Sequence, residues 1–225
     1  TPYCLIDSDN SFLVDNWEYI LNELLQYIPK ECGCEVKYGD WSGKYVHKKN
    51  LERACVELVK KATIALCCKA PERFWEYYEP YMEQGYYVFN EIILTGLAVL
   101  SPKYSNRIMR YLCSDMDKNI FDYTSGAEDE LGLVKEVLKI HGNSCDKEEL
   151  LRIENVICRY ISPNASEWYK RRIKQNERKE YPTVYWSFWG DLQYELLRYL
   201  PEERISPKAK ELLRILDRRF HKVPL

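Results

Sequence analysis

The groupings with residue types able to do chemistry cluster in the first 50 positions and around two later histidines. Cys32 and Cys34 flank Gly33 and offer two thiolates to zinc, with His47 or Cys4 as further ligands. Structural zinc sites pair one such knuckle with another at regular spacing, and no second pair follows here. Gly39-Asp40-Trp41-Ser42-Gly43-Lys44-Tyr45 is one residue short between its glycines for a phosphate loop, and Tyr45 stands where a magnesium-binding hydroxyl belongs. Asp7-Ser8-Asp9-Asn10-Ser11, with Glu18 further on, imitates a calcium loop, but Phe12 occupies the sharp turn that calls for glycine. His141 and Cys145 have the spacing of a ligand pair. A protonated histidine near a helix C-terminus is also favourable without any metal. The histidines are His47, His141 and His221, none beside a nucleophile motif, and no Gly-x-Ser-x-Gly elbow occurs. These patterns assign no catalytic residue, no cofactor and no metal.

The aromatic residues point to recognition instead. Nineteen tyrosines and six tryptophans exceed what one helix face per segment can bury. Phe74-Trp75-Glu76-Tyr77-Tyr78, Tyr86-Tyr87 and Tyr185-Trp186-Ser187-Phe188-Trp189 must also meet neighbouring helices, another domain or a partner. Tryptophan and tyrosine offer large contact area with few torsions to freeze, so they dominate interface hot spots. The basic run Lys170-Arg171-Arg172-Ile173-Lys174 lies beside Trp168 and Tyr169 and has the make-up of a stacking, backbone-tracking surface. The expected partner-facing set is therefore Trp75, Tyr78, Tyr86, Tyr87, Trp168, Tyr169, Arg171, Arg172, Tyr185, Trp186 and Trp189. The net charge of −2 favours no class of partner. Its distribution is uneven: residues 1–165 carry 19 basic and 26 acidic side chains, and 166–225 carry 14 and 9.

The elements that must position these residues are helices throughout. Trp17, Ile20, Leu21, Leu24, Leu25 and Ile28 form one buried stripe, headed by an Asp15/Glu18 capping box and closed by Pro29. Residues 30–49 have no period and read as a loop. A helix from about Leu51 buries Leu51, Ala54, Cys55, Leu58, Val59 and Ala62. From Pro71 the elements shorten. Pro71 to Glu83 is helical but interrupted at Pro80. Val88 to Leu100 is apolar nearly all round, as suits a helix sandwiched between others. Ser101-Pro102 and Ser206-Pro207 each cap a helix, and Asp146/Glu149 forms another capping box. Residues 163–184 are polar and basic with little period. Helix starts near 71, 87, 102, 128, 146, 185 and 206 make pairs of roughly 35–45 residues, the size of HEAT- or tetratricopeptide-like units. The expectation is an all-α, α-solenoid-like array of helix pairs, with a closed bundle as the alternative. Residues 1–69 form N-terminal helices and 70–225 the repeat segment.

Composition bounds the rest. Apolar residues make up 46% and charged residues 30%, ordinary for a globular chain. The longest apolar run has 13 residues, against the roughly 20 that span a bilayer, so no membrane partner is expected. The nine cysteines are odd in number and irregular in spacing. They read as free thiols of a cytoplasmic protein, not as a disulfide framework. A first residue other than methionine reads as an excised piece of a longer chain.

Ala70-Pro71-Glu72-Arg73-Phe74-Trp75, the apolar helix Glu91 to Leu100 and the Ser-Pro-headed helix after it resemble the helical-repeat region of large bacterial STAND-type ATPases. So do Gly190-Asp191-Leu192-Gln193-Tyr194-Glu195-Leu196-Leu197-Arg198-Tyr199-Leu200-Pro201-Glu202-Glu203-Arg204-Ile205-Ser206 and the leucine-rich tail Ala209 to Phe220. The match covers 70–220 and is a packing signature. It implies a non-catalytic sensor or scaffold segment of an Avs-type antiviral ATPase, whose array embraces a phage protein and contacts the parent's other domains. A structural spacer or oligomerisation module and a helical nucleic-acid-binding domain are the alternatives.

Overall fold

The computed structural model describes residues 11–28, 46–82, 87–113, 121, 128–160 and 190–220. Ten α-helices and no strand occur among them: α1 Ser11–Asp15, α2 Trp17–Leu24, α3 Val46–Lys69, α4 Phe74–Met82, α5 Tyr87–Val99, α6 Ser105–Cys113, α7 Glu128–Gly142, α8 Lys147–Arg159, α9 Asp191–Leu197 and α10 Pro207–Phe220. The chain is all-α, as its periodicity predicts. The helix expected from about 51 starts earlier, at Val46, inside the stretch read as loop. Proline does not interrupt α4, which runs past Pro80 to Met82. Pro80 sits in the last turn, where a missing amide donor costs the helix least.

The stripe of α2 packs on α3, with Trp17, Ile20, Leu21, Leu25 and Ile28 buried. Beyond it the packing follows one rule: each helix lies against the next but one. In the first row α3 packs on α5, α5 on α7 and α7 on α9. The second row joins α4, α6, α8 and α10, through the direct packing of α6 on α8 and side-chain bridges on either side. The rows meet through α4 on α5, α6 on α7 and α9 on both α8 and α10. No substantial packing joins α1, α2 or α3 to α8, α9 or α10 among the described residues.

Helix α5 shows why its sequence is apolar all round. It touches α3, α4 and α7, and Val88, Phe89 and every residue from Ile92 to Ala98 are buried. Gly96 permits the closest approach. A Cβ there would lie 2.3 Å from Phe74 Cε2 and 2.9 Å from Thr63 Cγ2.

Each link in the rows also carries a polar bridge. In the first, Lys60 of α3 reaches Glu91 of α5 at 2.7 Å, His141 of α7 reaches the Leu97 carbonyl of α5 at 2.8 Å, and Lys135 of α7 reaches Glu195 of α9 at 2.6 Å. In the second, Arg107 of α6 covers the Trp75 ring of α4 at 4.0 Å. Arg110 of α6 meets Glu149 of α8 at 2.7 Å, and the Ser206 amide at the head of α10 donates to Glu154 of α8 at 3.0 Å.

The helix caps divide by chemistry. Ser101 Oγ accepts from the Lys103 amide, and Ser206 Oγ from the Ala209 amide, as the Ser-Pro pairs predict. The two acidic capping boxes do not form. Asp15 accepts from Lys69, Glu18 pairs with Arg73, Asp146 accepts from Asn106 and Glu149 from Arg110. Asp15, Glu18 and Glu149 thus meet charged donors, from which a carboxylate gains more than from a neutral amide, while Asp146 exchanges its cap for the neutral Asn106 side chain of α6.

Candidate interaction surface

The interior holds one arrangement of catalytic type. His141 Nδ1 lies 2.9 Å from Ser105 Oγ and Nε2 lies 2.8 Å from the Leu97 carbonyl. A carbonyl can only accept, so Nε2 carries the proton and Nδ1 accepts from the serine hydroxyl. The polarity is that of a serine–histidine pair with a backbone carbonyl in place of the aspartate. Ser105 and His141 are 1% and 0% exposed, so no substrate reaches them. Burial pulls the histidine pKa below its usual value against the opposing Leu97 bond. The cationic helix-end role expected for His141 is thus corrected: the ring is neutral and staples α5, α6 and α7 together.

Cys55, Cys67, Cys113 and Cys145 are free thiols. Burial raises the Cys67 thiol above its usual range, pushes Cys113 up to about 12, and raises Cys145 and Cys158. These four are poor nucleophiles near neutral pH. No group of three His, Cys, Asp or Glu side chains placed to hold a metal occurs among the described residues. Cys4, Cys32, Cys34 and the Gly39–Tyr45 run lie outside them.

Two further polar anchors shape the C-terminal half. Arg204, in the turn before α10, donates to the carbonyls of Gly142 at 2.7 Å, Asn143 at 2.5 Å and Cys145. It closes the C-terminus of α7 as an arginine cap, in the direction that the helix dipole favours. Gln193 of α9, 1% exposed, accepts from the Gly190 amide at 2.8 Å and donates to the Ile157 and Tyr160 carbonyls at the end of α8.

Two apolar features are exposed among the described residues. Phe12 of α1, Tyr19 of α2 and Tyr27, in the short 3-10 turn after α2, are 67%, 67% and 73% exposed. Between α8 and α10 runs a groove of about 470 Å³, lined by Asn155, Cys158, Arg159, Lys208, Glu211, Leu212 and Ile215. Ile215 is 53% exposed, and Leu151, on the same face of α8 as Asn155 and Cys158, is 47% exposed.

No family model, curated protein or solved structure matches this chain.

The expected partner-facing residues divide sharply. Trp75 and Tyr78 are buried, at 5% and 0% exposure, which corrects their assignment to the surface. Trp75 meets Phe74 edge to face and is covered by Arg107, and the Tyr78 hydroxyl bonds to Thr63. Tyr86, Trp168, Tyr169, Arg171, Arg172, Tyr185, Trp186, Trp189 and the side chain of Tyr87 lie outside the described residues. Sequence reasoning missed Phe12, Tyr19, Tyr27, Leu151 and Ile215. For Tyr19, Leu151 and Ile215 the signal was present: each falls outside the buried stripe of its helix, where an apolar residue has no core to enter.

Proposed function

We propose that this chain is a non-catalytic recognition or scaffold segment of a larger bacterial STAND-type ATPase, cytoplasmic and engaged in signalling or anti-phage defence. In this reading the helix pairs form an α-solenoid-like array that holds a partner protein, a phage protein in the defence case, and contacts the parent's other domains. The observation that carries it is the next-but-one packing of α3, α5, α7 and α9, repeated by α4, α6, α8 and α10. That pattern suits an array whose units touch only their neighbours and whose extended surface is open to a large ligand. The Ser-Pro-headed helices and the Arg204 cap fall within the stretch that resembles STAND arrays. The aromatic and basic residues outside the described part, Trp168, Tyr169, Arg171, Arg172, Tyr185, Trp186 and Trp189 among them, supply the contacts.

The test takes the full parent reading frame and a panel of separately purified phage proteins. The frame is expected to hold a phosphate loop upstream. One phage protein should bind this chain in calorimetry and drive nucleotide-dependent oligomerisation of the parent. A frame without a phosphate loop sinks the family assignment. A chain that binds no member of the panel, while the parent still responds to one, sinks the recognition role.

A further inference from the structure

The two exposed apolar features lie at opposite ends of the packing order. The stripe of Phe12, Tyr19 and Tyr27 is on α1, α2 and the 3-10 turn after α2, and both helices pack on α3. The groove lies between α8 and α10, at the last link of the second row. Their charges are opposite. Residues 11–28 contain Asp15, Glu18 and Glu23 and no basic side chain. Asp15 and Glu18 are engaged by Lys69 and Arg73, which leaves Glu23 exposed beside Tyr19 and Tyr27. Helix α10 carries five basic residues against two acidic ones. Of its acids Glu211 pairs with Arg214, while Lys208 and, from α8, Arg159 line the groove.

We propose that copies of this chain join head to tail, the aromatic stripe of α1–α2 in one copy seating in the α8–α10 groove of the next. Tyr19 and Phe12 meet Ile215, Leu212 and Leu151, and Glu23 faces Lys208 and Arg159. Aromatic rings in an apolar slot supply the affinity, and the opposite charges set the polarity of the join. Because the two patches differ, the contact is heterologous, and every open assembly keeps a free stripe at one end and a free groove at the other, to which further copies add. The join is independent of what the array recognises, and it fails or stands separately from that reading.

The experiment is sedimentation velocity on the purified chain across a concentration series, with Tyr19→Glu and Ile215→Glu as separate variants. Both positions are exposed, so circular dichroism and melting are expected to match the parent chain. The unaltered chain should grow in mass with concentration, and less so in high salt. Each variant should stay monomeric alone. An equimolar mixture should form a dimer and nothing larger, because the Tyr19→Glu copy keeps its groove and the Ile215→Glu copy keeps its stripe. A monomer at every concentration, a variant that still self-associates, or a mixture that does not pair overturns the proposal.

Discussion

His141 shows how a reactive residue type is made inert by its surroundings. Its ring is neutral in the fold because charging it would require an uncompensated buried cation between Ser105 and the Leu97 carbonyl. An unfolded histidine protonates near pH 6.5, and the folded ring only lower. Between those values the unfolded chain binds more protons, so stability falls as the pH drops through that window and is complete above it. Urea unfolding at about pH 7.5 and about pH 5.5 should therefore show a loss on acidification. In His141→Phe that loss should shrink, from a lower starting stability. Arg204 makes the complementary case of an exposed type put to structural use. Arg204→Ala strands three carbonyls at the α7–α8 turn, and a loss of about 2 kcal/mol is expected in the same assay. Neither contact was legible in the sequence: Ser105 and Leu97 lie 36 and 44 positions from His141, and no local pattern joins them.

At the scale of elements, the short-range signals hold and those with competing partners do not. Ser101 and Ser206 cap their helices because a hydroxyl beside the free amides has no stronger donor nearby. Ser206→Ala should cost about 1 kcal/mol. Asp15 and Asp146 sit beside helix starts just as favourably, yet they turn to Lys69 and Asn106, which folding alone brings close. Gly96 is the sharpest element-level constraint. Alanine suits a helix better than glycine by about 1 kcal/mol, but here its methyl would enter the Phe74 ring. Gly96→Ala should be net destabilising, with an overpacking cost of about 1–3 kcal/mol. Trimming the ring in Phe74→Leu should recover part of it, measured as a double-mutant cycle by thermal unfolding.

For the whole molecule, the proposed array has a mechanical consequence. If stability is passed from helix to helix, damage at one end stays local. Leu216, 1% exposed on α10, is the probe. Leu216→Ala should cost about 2–5 kcal/mol locally. Hydrogen exchange should lose protection in α8, α9 and α10 and keep it in α3 and α5. A closed bundle would lose protection throughout, and that outcome would contradict the array. No described helix is long and apolar enough to cross a membrane. The longest apolar one, α5, has its faces occupied by α3, α4 and α7.

The sequence by itself determined that the chain is helical, where the Ser-Pro-headed helices begin, and which helix lies deepest. Those properties follow from periodicity and from side chains acting on their own backbone within a turn or two. Only the tertiary structure decided that Trp75 and Tyr78 face inward, that a buried histidine is a neutral staple, and that acids at helix heads serve distant donors. It also decided where Phe12, Tyr19 and Ile215 are left in water. Such outcomes depend on which helix lies alongside which, and partners dozens of residues apart leave no mark on local spacing.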